Sequence, residues 1–241
     1  MQSLKDAWFI VRKDMKSDKR YFIWNVLFIA YMALITSTFI NEMLVEERHW
    51  VRWMIADGVT MFIVPMIGFY FSRRAFKYLQ EDSYTQMLSY FRILPISNKV
   101  LKYYRLLQVG ISLIVNSPIF FATIYLLSED VRASFDGLSY IAFALTWVGY
   151  SILIMAFFIY FEMLSSGRVY FWKTLWIFIL MILAAIVISR SDGSFLHWSI
   201  DFSIRWGLAS PLMWAMLAAG SLGMWLMNIG TYRKLSKRDL Q

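Results

Sequence analysis

The sequence predicts an all-α polytopic membrane protein with six transmembrane helices, and three observations carry that expectation. Hydrophobic residues fill 59% of the 241 positions and charged ones only 17%, too apolar for a domain with a polar shell. Several runs are long enough to cross a hydrocarbon core roughly 30 Å thick. The basic residues cluster at the ends of those runs, mostly on one side. Lipid offers an exposed peptide group no hydrogen bond, so a spanning segment must be a helix or a barrel strand, and the alternating segments of a barrel are absent.

The apolar runs cover 21–40, 54–71, 106–127, 138–161, 171–188 and 208–229, each with an almost charge-free interior, and 1–241 reads as one transmembrane domain. The first run lacks the small-x-small exit of a cleaved signal and is expected to be retained. Nineteen of the 24 Lys and Arg fall in the two tails and in the second and fourth loops; Arg48, Arg52, Arg132, Arg190 and Arg205 fall on the other side. The positive-inside rule then places both termini in the cytoplasm. The formal net charge of +8 is assigned to membrane lipid and insertion, and no nucleic-acid partner is expected.

Within residues 1–20, Leu4, Trp8, Val11 and Met15 recur at helical spacing while Lys5, Arg12, Lys13 and Lys16 occupy other faces. This is the pattern of an amphipathic interfacial helix; the plainer reading is a basic anchor. The loop 72–105 has structure of its own. Ser83 and Gln86 have the spacing of a capping box, and Tyr84, Met87, Leu88, Phe91 and Leu94 follow as a helical stripe. Pro95 ends that helix, 83–94, and Ser97 is placed to cap a second one running through Lys99, Lys102 and Arg105 into the third span. The product is an elbow whose stripe needs cover from lipid headgroups, from the protein's own span ends or from a soluble partner.

Inside the spans, Pro65 and Pro118, the latter preceded by Asn116 and Ser117, are expected to kink their helices, either as hinges or as static packing. Ser210 and Pro211 mark a helix start. Ala215, Ala219 and Gly223 repeat every fourth residue and permit close helix packing or dimerisation. Asp57 and Glu162, the acids nearest hydrocarbon, read as water-facing or ion-paired structural groups rather than a proton relay. The last outward loop, with Phe195, Trp198, Ile200, Phe202 and Trp206, reads as an aromatic belt or as a segment dipping back into the membrane.

Chemistry is sparse. None of the 11 glycines forms a phosphate loop, His49 and His197 lie in different loops, and no G-x-S-x-G occurs. With no cysteine, thiolate and cysteine-metal chemistry are excluded, and neither an enzyme nor a cofactor is expected.

The elbow turn Leu94, Pro95, Ile96, Ser97, Asn98, Lys99, the later Arg105, Leu106, Leu107 and the tail Arg12, Lys13, Asp14, Met15, Lys16 resemble those of an ABC-2 type permease, as does the layout of six spans behind a basic helix. The resemblance implies that Tyr84, Met87, Leu88, Phe91, Arg92, Leu94, Pro95, Ile96 and Ser97 form a coupling helix docked on separately encoded ATP-binding subunits. It implies a second permease chain, identical or not, a bacterial cell membrane, and export of amphipathic peptides, bacteriocins or drugs, as in exporters of phenol-soluble modulins. Short outer loops and Asn98, where the family commonly has arginine, fit glycan export poorly. Two other classes stay open: a membrane immunity or regulatory protein that sequesters a toxic peptide, and a small membrane enzyme.

Overall fold

In lipid a peptide group can bond only to its own chain, and the apolar runs answer with helix. A computed structural model describes residues 2–45, 49–69, 79, 81–94 and 96–235; the side chains of Lys19, Ser83, Tyr84 and Arg92 lie outside that description, as do Glu46, Glu47 and Pro95. Among the described residues there are helices and turns and no strand. In order the elements are α1 (Gln2–Ser17), α2 (Lys19–Val45), α3 (Trp50–Ile63) extended by a 3-10 segment Val64–Gly68, α4 (Ser83–Ile93), α5 (Asn98–Leu127), α6 (Glu129–Ser134), α7 (Gly137–Leu164), α8 (Gly167–Arg190), α9 (Phe195–Trp206), a 3-10 turn Gly207–Ala209 and α10 (Pro211–Leu235).

Six of these, α2, α3 with its extension, α5, α7, α8 and α10, are long and apolar enough to cross a membrane, so the chain is a multi-pass membrane protein. Most overrun the apolar runs, because hydropathy marks only the stretch in hydrocarbon while the helix continues through the interface. The exceptions are informative. The second span was expected to run 54–71 as one kinked helix; α-helix stops at Ile63, 3-10 geometry follows to Gly68, Phe69 is extended, and 70 and 71 lie outside the described residues. The last helix starts at Pro211, where Ser210 and Pro211 mark a start, although the apolar run begins at 208; the Met213 amide donates to Ser210 Oγ at 3.4 Å.

Helix α7 is the centre of the bundle, burying Phe143, Trp147, Met155 and Phe158. Lipid tails are as apolar as leucine, so spans associate through close packing and hydrogen bonds rather than through transfer from water. The closest packing is between α7 and α10. A Cβ on Gly149 would stand 2.6 Å from the Met216 backbone, and one on Gly220 would stand 2.4 Å from the Gly149 carbonyl oxygen. The expected stripe is thus offset: Gly223 faces Leu153 and Ala219 is half-buried, but Ala215 is exposed and Gly220 makes the closest approach.

The segment expected as the last outward loop folds as helix α9. It buries Leu196, Ser199, Ile200 and Ser203 against the bundle, and Trp147 Nε1 donates to Ser199 Oγ at 3.1 Å. At the start of α7, Asp136 accepts from the Ser139 amide at 2.8 Å. Hydrogen bonding by Ser139 holds that carboxyl below its ordinary value.

Candidate functional site

Proline 65 has no N–H, so a helix passing through it leaves the Met61 carbonyl without its usual donor. The Tyr150 hydroxyl of α7 donates to that carbonyl at 3.1 Å. The carbonyls that follow find donors in the same way. Asn116 Nδ2 of α5 donates to the Ile67 oxygen at 2.9 Å and reaches the Phe69 oxygen at 3.4 Å, while Ser151 Oγ lies 3.5 Å from the Pro65 oxygen. Asn116 Oδ1 in turn accepts from Asn25 Nδ2 of α2 at 2.7 Å. An unsatisfied peptide group in hydrocarbon costs several kcal/mol, and these side chains let the second span abandon α-geometry. Of Pro65, Asn116 and Pro118, open in the sequence to a reading as hinges or as static packing, Pro65 and Asn116 are brought together here. Pro118 stands apart within α5, which continues through it.

The elbow starts one residue earlier than its capping-box pattern. Asp82, at φ 45°, is the N-cap of α4 and Ser83 is already helical, while Gln86 Nε2 donates to the Glu81 carbonyl at 2.6 Å. The Asp82 carboxylate caps a different helix, accepting from the Gly167 amide at the start of α8 at 2.8 Å. Helix α4 ends at Ile93, and Leu94 is extended, the geometry a residue before proline prefers. Ser97 occupies the N-cap of α5 without a side-chain cap bond.

Of the three covers open to the stripe, the chain's own elements take Met87, Leu88 and Phe91. These are buried in one cluster with Ala7 and Val11 of α1 and Val100, Leu101 and Tyr104 of α5, and the Phe91 ring stands edge-on to Tyr104 at 5.9 Å. Burial of each is worth about 1.5 to 3 kcal/mol, enough to hold α4 as part of the bundle. The side chains of Tyr84 and Arg92, and Pro95 entire, lie outside the described residues. Exposed on the far side are Ile93 at 83% and Tyr90 at 58%, with Ser97 also exposed and Leu94 and Ile96 half-buried.

A chain of polar contacts runs beneath the elbow. Glu162 of α7 pairs with Arg105, whose Nη1 donates to Gln108 Oε1 at 2.8 Å; Gln108 Nε2 donates to the Tyr104 hydroxyl at 2.8 Å, and that hydroxyl donates to Asp14 Oδ2 of α1 at 2.5 Å. Glu162 is therefore ion-paired, and its side chain is 3% exposed. Asp57 is not water-facing and is held by hydrogen bonds: it accepts from the Ser194 hydroxyl at 2.9 Å and from the Phe195 and Leu196 amides at 2.9 and 2.8 Å, so α3 caps α9.

Between α1 and the elbow lies an open cleft of about 650 Å³, lined by Asp6, Phe9 and Lys13 on one side and Tyr90, Leu94 and Ile96 on the other. Sequence reading missed Asn25, Tyr150, Gly149 and Gly220. Asn25 and Asn116 did carry a signal, being amides inside apolar runs; Tyr150 carried none. Among the described residues no three of His, Asp and Glu converge as a metal site. No protein-family model, no curated protein and no solved structure gives a significant match to the chain, which leaves this geometry as the guide to its function.

Proposed function

We propose that the chain is the permease subunit of an ATP-driven exporter, lying in a bacterial cell membrane with its basic end in the cytoplasm. ATP is bound and hydrolysed by a separate subunit, and a second permease chain completes the path for an amphipathic peptide or hydrophobic compound. The observation that carries the reading is the exposed edge of α4. Tyr90 and Ile93 stand in the open on a short helix whose other face is fixed to its own chain, beside a cleft that deepens the surface. An apolar helix edge of this kind fits a groove on a partner.

The buried residues Met87, Leu88 and Phe91 then take a different role from the docking role that the resemblance to an ABC-2 type permease implies. They fasten α4 to α1 and α5, so force on the exposed edge is passed to those helices. Asp82 carries the same force to the start of α8, and the Asp14 to Glu162 contacts carry it to α7. The broken stretch of the second span, bound to α5 and α7 by side chains rather than by its own helix, is a place where the bundle can change shape. Affinity isolation of the tagged chain from its native membranes tests the proposal. A protein with a phosphate loop should accompany it in fixed ratio and hydrolyse ATP in the isolated complex. A chain that is always recovered alone, in every nucleotide state, refutes it.

A further inference from the structure

Charge is segregated around α1 more sharply than a basic anchor requires. At about 100° per residue, Lys5, Arg12 and Lys16 fall within an arc of about 40°, and all three are exposed. Next to them on one side are Leu4 and Trp8, each close to half exposed, and beyond these come the buried Ala7 and Val11. The fourth cation, Lys13, and the acidic residues face elsewhere, Lys13 and Asp6 toward the cleft and Asp14 toward Tyr104. The positive-inside rule counts cations in a segment and does not ask which side of a helix they occupy. Cations beside an apolar strip are the signature of a helix at headgroup level, its Leu and Trp among acyl chains and its cations at phosphates.

The connection to the first span fixes where that face lies. Asp18 alone separates α1 from α2: its amide donates to the Asp14 carbonyl at 2.9 Å, and its carbonyl accepts from the Tyr21 amide at 2.9 Å. There is no linker along which α1 can leave the edge of the bilayer. We infer that the Lys5, Arg12 and Lys16 face of α1 binds the phosphates of anionic phospholipids, and that such lipid holds α1 down on the elbow. Ala7 and Val11 cover the same cluster as Met87, Leu88 and Phe91, and the next face of α1 forms a wall of the cleft, so lipid on one side of the helix sets the position of the elbow on the other. None of this depends on an ATPase partner.

The test uses the isolated full chain in nanodiscs of phosphatidylcholine alone or with about one third phosphatidylglycerol, reading amide hydrogen exchange across residues 2–17. Each cation near an anionic surface is worth about a fivefold change in association, so three permit slowing by up to about a hundredfold. The slowing should fade in about 0.5 M salt, vanish in the triple variant K5Q/R12Q/K16Q and survive in K5R/K16R. Exchange in α5 and α7 reports whether the triple variant is folded; should it not be, the comparison of the two lipids on the unaltered chain still decides. Inorganic phosphate in the zwitterionic discs should leave α1 unchanged. Equal exchange in both lipids overturns the inference, as does a lipid response retained by the triple variant, or protection produced by dissolved phosphate or only by an acidic protein.

Discussion

Removing first one and then both members of the Arg105–Glu162 pair separates the cost of a broken buried ion pair from the value of an intact one. The side chains are 10% and 3% exposed, and Gln108 occupies a further donor of the arginine. Taking away one partner leaves a desolvated charge and is expected to cost about 3 to 5 kcal/mol. The two single changes are not equivalent. A guanidinium cannot lose its proton, whereas a carboxyl left alone can neutralise itself by binding one, so Glu162→Leu should cost more than Arg105→Met. The double variant replaces the pair by packed apolar groups of similar volume and should stand within about 1 kcal/mol of the parent or above it. At about 2 to 4 °C per kcal/mol for a chain of this size, the Glu162→Leu protein should melt about 10 °C lower in detergent and the double variant should recover most of that loss. A double variant as unstable as the sum of the two singles, or singles that melt like the parent, would show that the pair is neither buried nor desolvated.

Three further outcomes follow from single contacts. Gly220→Ala puts a Cβ 2.4 Å from the Gly149 carbonyl oxygen, so α7 and α10 must part at a cost of about 1 to 3 kcal/mol; Gly110→Ala, with nothing within 4 Å, should not lower the melting temperature. Tyr150→Phe strips the donor from the Met61 carbonyl, and hydrogen exchange in Val64–Gly68 should speed up with a loss of about 1 to 3 kcal/mol. Asp136 has its carboxyl lowered in the fold by the Ser139 hydrogen bonds, so its contribution is complete above the ordinary carboxylate range and disappears as pH falls through the lowered value. The melting gap between the parent and Asp136→Ala should therefore be widest near neutral pH and close in acid, and a gap constant across that range would refute the assignment.

The six spans were legible because the constraint on them is crude: about 20 residues without charge and no partner for the backbone but itself. The elbow was legible for a related reason, since Pro95 stops one helix, Ser97 sits where the next begins, and the spacing between them fixes the stripe. What covered the stripe was not legible. An apolar face at Met87, Leu88 and Phe91 fits a partner's groove and Val11 of the same chain equally well, and only the return of α1 onto α5 decides. Pairings across the bundle were hidden likewise. Glu162 and Arg105 are 57 residues apart, and Asp57 meets Leu196 across 139. Small-residue spacing pointed to the right helix but missed the contact by one position, because Gly220 rather than Ala219 faces α7.

Whether the free edge of α4 is gripped by an ATPase subunit is tested most directly by placing charge on that edge while sparing its buried side. Leu88 and Phe91 are unsuited to this, since an aspartate there would unseat the elbow from α1 and α5. Tyr90 and Ile93 point away from that core, and Y90D/I93D should leave the melting temperature of the isolated chain unchanged. Two anchor residues at an interface centre are worth at least about 2 kcal/mol each, so the variant should retain its membrane insertion and lose its phosphate-loop partner on affinity isolation. Recovery of that partner at the parent's ratio by Y90D/I93D would contradict the account.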